Sequence, residues 1–207
     1  MYLNILDQNQ KDLLPLLGSF KNEFYMVGGA AVALHIGHRR SIDFDFDLFK
    51  AGILRPKAIL KKFEEKKEKI AVTLNLNGQL NLVCREVKFT FCDYEFTIPQ
   101  DLPIDKHITI PSLLDLAAMK AYALGRRSKW KDYTDLYFIL KDYYPVETIS
   151  AKAKELFEDL FSEKLFRGQL NYFVGINYEE KIEYMPGFEV PDDDIKAFLI
   201  EAALTGF

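Results

Sequence analysis

The chain has 207 residues, 49% of them hydrophobic, with two cysteines and a formal net charge of −4. That composition supplies a packed core and excludes a disordered chain, a disulfide framework and a protein that coats nucleic acid through bulk positive charge. The first dozen residues do not read as a signal peptide and no apolar run reaches the length of a membrane span, so the expectation is a cytoplasmic protein with no membrane partner.

Residues 24–27 read as a short apolar strand ending at Gly28-Gly29, and residues 30–36, small and apolar, as a buried helix. Residues 42–48 alternate strictly between apolar and acidic, which predicts a strand. A charged helix follows over residues 55–69, with an apolar stripe at Ile59, Leu60 and Phe63. Strands are expected at 70–76, 80–84 and 87–94, with Asn77-Gly78 as the hairpin turn between the first two. Cys84 and Cys92 fall on two of these neighbouring segments and read as free thiols. Pro99, Pro103 and Pro111 punctuate the middle of the chain, and helices are expected at 112–124, 132–141, 148–161 and 193–204. This order predicts an α+β fold: an α/β core over residues 1–100 and a helical domain over 101–207 packed on it.

The segment 40–47 carries the most chemistry. On a strand, Asp43, Asp45 and Asp47 share one face, while Ile42, Phe44, Phe46 and Leu48 share the other and face the core. Stacked carboxylates repel one another. Alone, they are equally consistent with a solvated edge strand. As a site, two aspartates at i and i+2 suit a hard cation such as Mg²⁺, which takes one or two carboxylates together with phosphate oxygens.

Upstream, Val27-Gly28-Gly29-Ala30 joins a strand to a helix. Free N–H groups at a helix start bind anions, and glycine permits close approach. A lone Gly-Gly is ordinarily just a tight turn. The order strand, glycine turn, helix and acidic strand within residues 24–47 is much rarer. His38, Arg39 and Arg40 lie between that helix and the acidic strand, where an arginine either faces a triphosphate or balances the aspartates.

In the second half, helical spacing places Lys120 on a stripe with Leu113, Leu116, Ala117 and Leu124. A lysine there snorkels to solvent, meets a phosphate, or meets an internal carboxylate such as Asp132 or Asp135. Asp132 and Asp135 share a helix face with Leu136 and Ile139. Either they cap and brace their own helix, or they fix Lys120 or an arginine near a nucleotide. Between the helices, Arg126-Arg127-Ser128-Lys129-Trp130-Lys131 reads as a solvated basic loop or as a grip on phosphates and a base.

The run Tyr25-Met26-Val27-Gly28-Gly29-Ala30-Ala31-Val32-Ala33-Leu34, followed by His38-Arg39-Arg40-Ser41-Ile42-Asp43-Phe44-Asp45, resembles the first motif of the AbiEii/AbiGii toxin family of nucleotidyltransferases. That family belongs to the polymerase-beta-like nucleotidyltransferase superfamily. Ile110-Pro111-Ser112 with Asp115-Leu116-Ala117-Ala118-Met119-Lys120 is similar to the family's lysine motif, and Lys131-Asp132-Tyr133-Thr134-Asp135-Leu136-Tyr137 resembles its Lys-Asp-x-x-Asp-Leu motif. The resemblance covers roughly residues 20–140. It implies a nucleotidyltransferase-like mixed sheet flanked by helices with a helical C-terminal part, Mg²⁺, and a nucleoside triphosphate as substrate. It implies metal binding by Asp43 and Asp45, and triphosphate contact by Gly28, Gly29 and Lys120. Arg40 and Ser41 of the same run join the candidate nucleotide contacts, and Asp132 and Asp135 complete the candidate catalytic set. Family members act as toxins of toxin–antitoxin or phage-defence systems, which implies a cognate antitoxin partner, and some transfer nucleotides to tRNA.

One departure matters. The superfamily often places a third metal carboxylate on a later strand. Here that stretch is residues 87–92, where Val87, Phe89 and Phe91 make one face and Lys88, Thr90 and Cys92 the other, with Asp93 on the wrong parity. The alternative function is therefore a nucleotide-binding protein with a degenerate catalytic site.

Overall fold

The computed structural model describes residues 1–207 apart from 51, 101, 105, 125, 128, 206 and 207. The chain divides into two compact units, Met1–Ser112 and Leu113–Phe207.

The first unit is built on a five-stranded mixed sheet. Its strands are β1 (Phe24–Val27), β2 (Asp43–Leu48), β3 (Ile70–Leu76), β4 (Gln79–Cys84) and β5 (Val87–Cys92), in the order β1-β2-β5-β4-β3. Only β2 and β5 pair parallel; the other neighbours are antiparallel. The β3–β4 hairpin turns at Asn77-Gly78, as its sequence predicts. A second hairpin of β6 (Leu102–Ile104) and β7 (Ile108–Ile110) closes the unit.

The apolar face of this sheet is a phenylalanine core. Phe44 and Phe46 on β2 and Phe89 and Phe91 on β5 are fully buried, and Phe46 stacks on Phe91 with centroids 5.0 Å apart. Phe20 lies 5.0 Å from Phe91, and Phe63 of α3 (Pro56–Glu65) lies 5.2 Å from Phe89. Truncating one such ring to alanine costs about 3–5 kcal/mol. Ile42 departs from the expectation: it precedes β2 and is 63% exposed, so the core face begins at Phe44.

Two further helices frame the acidic strand. Helix α1 (Gln8–Leu17) starts with a capping box, in which Gln10 N donates to Asp7 Oδ1 at 2.8 Å and Asp7 N donates to Gln10 Oε1 at 3.1 Å. The same Gln10 side chain donates through Nε2 to the Ser41 carbonyl at 2.6 Å, fixing the segment that enters β2. Helix α2 (Gly28–Ile36) follows β1 directly; Ala30 to Leu34 are all buried.

The second unit is helical: α4 (Leu113–Leu124), α5 (Trp130–Asp142), α6 (Val146–Phe157), α7 (Glu163–Leu170) and α8 (Asp192–Leu204). Arg167 of α7, 4% exposed, ties three helices together. Its guanidinium donates to Glu163, to Glu147 of α6 and to the carbonyls of Ala203 and Thr205 at the end of α8. Among the described residues no helix is long and apolar enough to cross a membrane.

Candidate active site

The strand register determines which side chains share the acidic face. Across the β1–β2 and β2–β5 pairs, Asp45 is flanked by Val27 and Thr90, and Asp47 by Tyr25 and Cys92; Asp43 is beside Lys88. Residues opposite one another on paired strands project to the same side. Asp43 and Asp45 are half-buried, and Asp47 is buried at 6% exposure. Aspartates two apart on a strand are about 6.6 Å apart along the chain. Their repulsion at that distance is about 0.6 kcal/mol in water and about 2.5 kcal/mol at an effective dielectric of 20. A cation shared by two of them relieves it.

The titration of the neighbours registers the same crowding. Burial, with the charge of Asp45 added, pushes the Asp47 carboxyl up to about 7. Burial, then Asp47 and Asp45, pushes the Cys92 thiol up to about 12. Burial, then Asp47, also raises the Tyr25 phenol, whose buried hydroxyl has no hydrogen-bond partner among the described residues. Asp47 is thus the inner, proton-retaining member of the strip, and Asp43 and Asp45 are its accessible members.

The glycine turn sits against this strip. Gly28 has φ +73°, a conformation that favours glycine, and a Cβ built on it would collide with Asp45 Oδ2. Helix α2 begins here, and its N-cap residue, Val27, supplies no side-chain cap. A Cβ on Gly29 would lie 2.5 Å from Arg39 Nη2 and 3.3 Å from Ser41 Oγ. The turn therefore gathers Asp45, Arg39 and Ser41 around two residues that have no side chains. The guanidinium at the turn belongs to Arg39, 4% exposed; Arg40 supplies the carbonyl that accepts from Arg39 Nη1 at 2.9 Å. Sequence reading singled out Arg40; the packing of Arg39 against Gly29 carries no sequence signal beyond the glycine itself.

The donor set fits a hard divalent cation. Two half-exposed carboxylates supply oxygen ligands, and the glycine turn leaves room beside one of them. Among the described residues no group of three or more metal-ligating side chains occurs, so phosphate oxygens or water would complete such a shell. The β5 residues on this face are Lys88, Thr90 and Cys92, none a carboxylate.

Lys120, Asp132 and Asp135 form a second group, within the helical unit. Lys120 Nζ is 2.7 Å from Asp132 Oδ1 and 2.7 Å from Asp135 Oδ2. Arg127 Nε donates to Asp132 Oδ2 at 2.9 Å. Lys120 is 5% exposed and both aspartates 0%. Burial pushes the Asp132 carboxyl up, but Lys120 and Arg127 outweigh it and hold Asp132 below the usual carboxylate range. In the basic segment that leads into α5, Lys129 and, within the helix's first turn, Lys131 pair with Glu180, and Trp130 stacks on Tyr133 with centroids 5.8 Å apart. Ser128 lies outside the described residues.

Comparison with known proteins bears on the family and the fold. Residues 79–201 match the family model described as the nucleotidyl transferase AbiEii toxin of type IV toxin–antitoxin systems. An uncharacterised protein of Aquifex aeolicus (strain VF5) is 30% identical over 124 residues, which are 59% of this chain and 60% of that protein. The chain thus matches less than two thirds of that relative's length. A candidate nucleotidyltransferase from H. pylori superposes with a TM-score of 0.62 at 14% identity, over 96% of this chain and 94% of its own. MenT4, a nucleotidyltransferase toxin of Mycobacterium tuberculosis H37Rv, superposes with a TM-score of 0.57 at 15% identity, over 94% and 80%. At such identities these likenesses establish the nucleotidyltransferase fold.

Proposed function

The chain belongs to the AbiEii nucleotidyl transferase toxin family, and from that premise we propose that it is a Mg²⁺-dependent nucleotidyltransferase. It moves a nucleotide from a nucleoside triphosphate to an acceptor hydroxyl, with tRNA as the acceptor, in the cytoplasm, as the toxin partner of a cognate antitoxin. The observation that carries the reading is the Asp45 carboxylate lying against Gly28 at the start of α2, with the Arg39 guanidinium over Gly29.

In this proposal Asp43 and Asp45 hold Mg²⁺, whose chemistry is to polarise the transferred phosphate and orient pyrophosphate as leaving group. Gly28 and Gly29 let phosphate oxygens approach the N–H groups of α2. Arg39 adds positive charge at that turn, Ser41 a hydroxyl donor, and Arg40 a further phosphate contact. Lys120, Asp132 and Asp135 form a group whose charges are compensated within the helical unit, and their proposed part is to hold that unit's α4 and α5 together.

A second reading, nucleotide binding without turnover, is favoured by Thr90 standing in register beside Asp45 where the superfamily often has a carboxylate. One experiment separates the two: incubation with each labelled triphosphate, Mg²⁺ and total RNA. Transfer predicts label on an RNA species and its loss in Asp45→Asn. Triphosphate bound with Mg²⁺ but no label on any molecule sinks the enzymatic reading and leaves the second.

A further inference from the structure

The acidic face continues past the carboxylates onto β4 and β3, and that continuation has base-reading chemistry. In register across the sheet, Asp45 is followed by Thr90, Asn81 and Leu74, and Asp47 by Cys92, Gln79 and Leu76. The β4 burial pattern fixes the side: Leu80 and Leu82 are buried in the core, while Gln79 and Asn81 are half-exposed on the face of the aspartates. At the usual strand spacing, Asn81 is about 10 Å from Asp45, within the span of one nucleotide.

Gln79 Nε2 donates to Asn81 Oδ1 at 3.0 Å. That bond orients both amides. It leaves Asn81 Nδ2 as a donor and Gln79 Oε1 as an acceptor, side by side and without another partner among the described residues. Beside them on the same face lie half-exposed Leu74 and exposed Leu76, the latter 62% exposed, an apolar surface next to two hydrogen-bonding groups. Lys88, exposed and in register with Asp43, adds a cation on the same face.

We propose that Gln79 and Asn81 are base-specificity residues, reading a nucleobase that rests on Leu74 and Leu76. The inference rests on the nucleotidyl-transfer reading above. One donor beside one acceptor complements the exocyclic amine and ring nitrogen of adenine or cytosine in one orientation of the base, and the carbonyl and ring N–H of guanine or uracil in the other. A base held in one orientation is therefore sorted into the amino class, adenine and cytosine, or the keto class, guanine and uracil. The base belongs either to the incoming triphosphate or to the end of the acceptor, and the chemistry required is the same.

The test has two arms. In the first, melting temperature is followed with Mg²⁺ and ATP, CTP, GTP or UTP. In the second, transfer is measured to oligonucleotides ending in each of the four bases. Wild type should prefer one class, amino or keto, over the other in one arm, by about tenfold or more. Asn81→Asp replaces the free donor by an acceptor, so that two acceptors face the base, and should move the preference toward guanine in that same arm. Asn81→Ala should flatten it. The same base profile for wild type and Asn81→Asp in both arms overturns the assignment. Absence of any Mg²⁺–triphosphate shift or transfer in wild type instead overturns the nucleotidyl-transfer reading, and this inference with it.

Discussion

Asp132 and Asp135 on α5 have no exposed surface, whereas Asp43 and Asp45 on β2 are half-exposed. The helical pair shares one ammonium at 2.7 Å from each, with a guanidinium added at Asp132, so its charge is compensated within its own unit. The strand pair has a third carboxylate as neighbour, Asp47, which retains its proton to about 7. A buried network compensated by its own cations loses stability when one member is removed, because the remaining charges are stranded. A strip of like charges gains stability when one is neutralised. The same residue type thus serves two ends. In the helical unit, burial and pairing hold a lysine rigidly; on β2, repulsion is maintained on a face that a cation relieves.

Breaking the helical network should have the largest effect on stability. Lys120→Met leaves Asp132 and Asp135 buried without their shared cation, and should cost about 3–5 kcal/mol in chemical denaturation. A loss below 1 kcal/mol would mean that the network is not structural.

Asp47 sharpens the other side of the comparison. It titrates near 3.8 in the unfolded chain and near 7 in the fold. Between those values the folded state binds the additional proton, so stability is fully present below about pH 4 and falls as pH rises toward 7. Asp47→Asn should remove that slope and raise stability at pH 8 by about 2–4 kcal/mol. Denaturation curves at pH 5 and 8 for the two proteins read it directly, and parallel slopes would contradict the assignment.

Gly28→Ala should have the smallest effect, about 1–3 kcal/mol, from a positive φ and the collision with Asp45. It should also weaken triphosphate binding, because the carboxylate must move. Equal stability and equal binding would remove the glycine turn from the site.

Much of this was legible in the sequence because it depends on local periodicity. The parity of residues 43–47 gives the acidic face, and the alternation of Val87, Phe89 and Phe91 gives the residues beside it. Asn77-Gly78 gives the hairpin. What depends on packing was not legible. Ile42 fits the alternation yet lies before the strand, in solvent. Arg39, not Arg40, reaches Gly29, because the chain turns between α2 and β2 in a way no period records. The burial of Asp47 follows from its neighbours on β1 and β5, the latter more than 40 residues away in sequence. Helix α1 is different: Asp7 and Gln10 have capping-box spacing, and Pro15 within the helix obscures a signal that was present. Helix α7 is only eight residues long and offers too little periodicity to stand out.

The central claim is that Asp43 and Asp45 form a cation-dependent triphosphate site. The most direct measurement compares melting temperatures of wild type and the Asp43→Asn/Asp45→Asn double variant, with and without Mg²⁺ and a triphosphate. At a ligand concentration about 100 times Kd, binding contributes about 2.7 kcal/mol, or roughly 5–10 °C for a protein of this size. Wild type should show that shift only when Mg²⁺ and triphosphate are both present. The double variant should show none, while melting at or above the wild-type temperature without ligand, since Phe44 and Phe46 still fill the core and the repulsion is gone. Equal shifts in the two proteins would contradict the account.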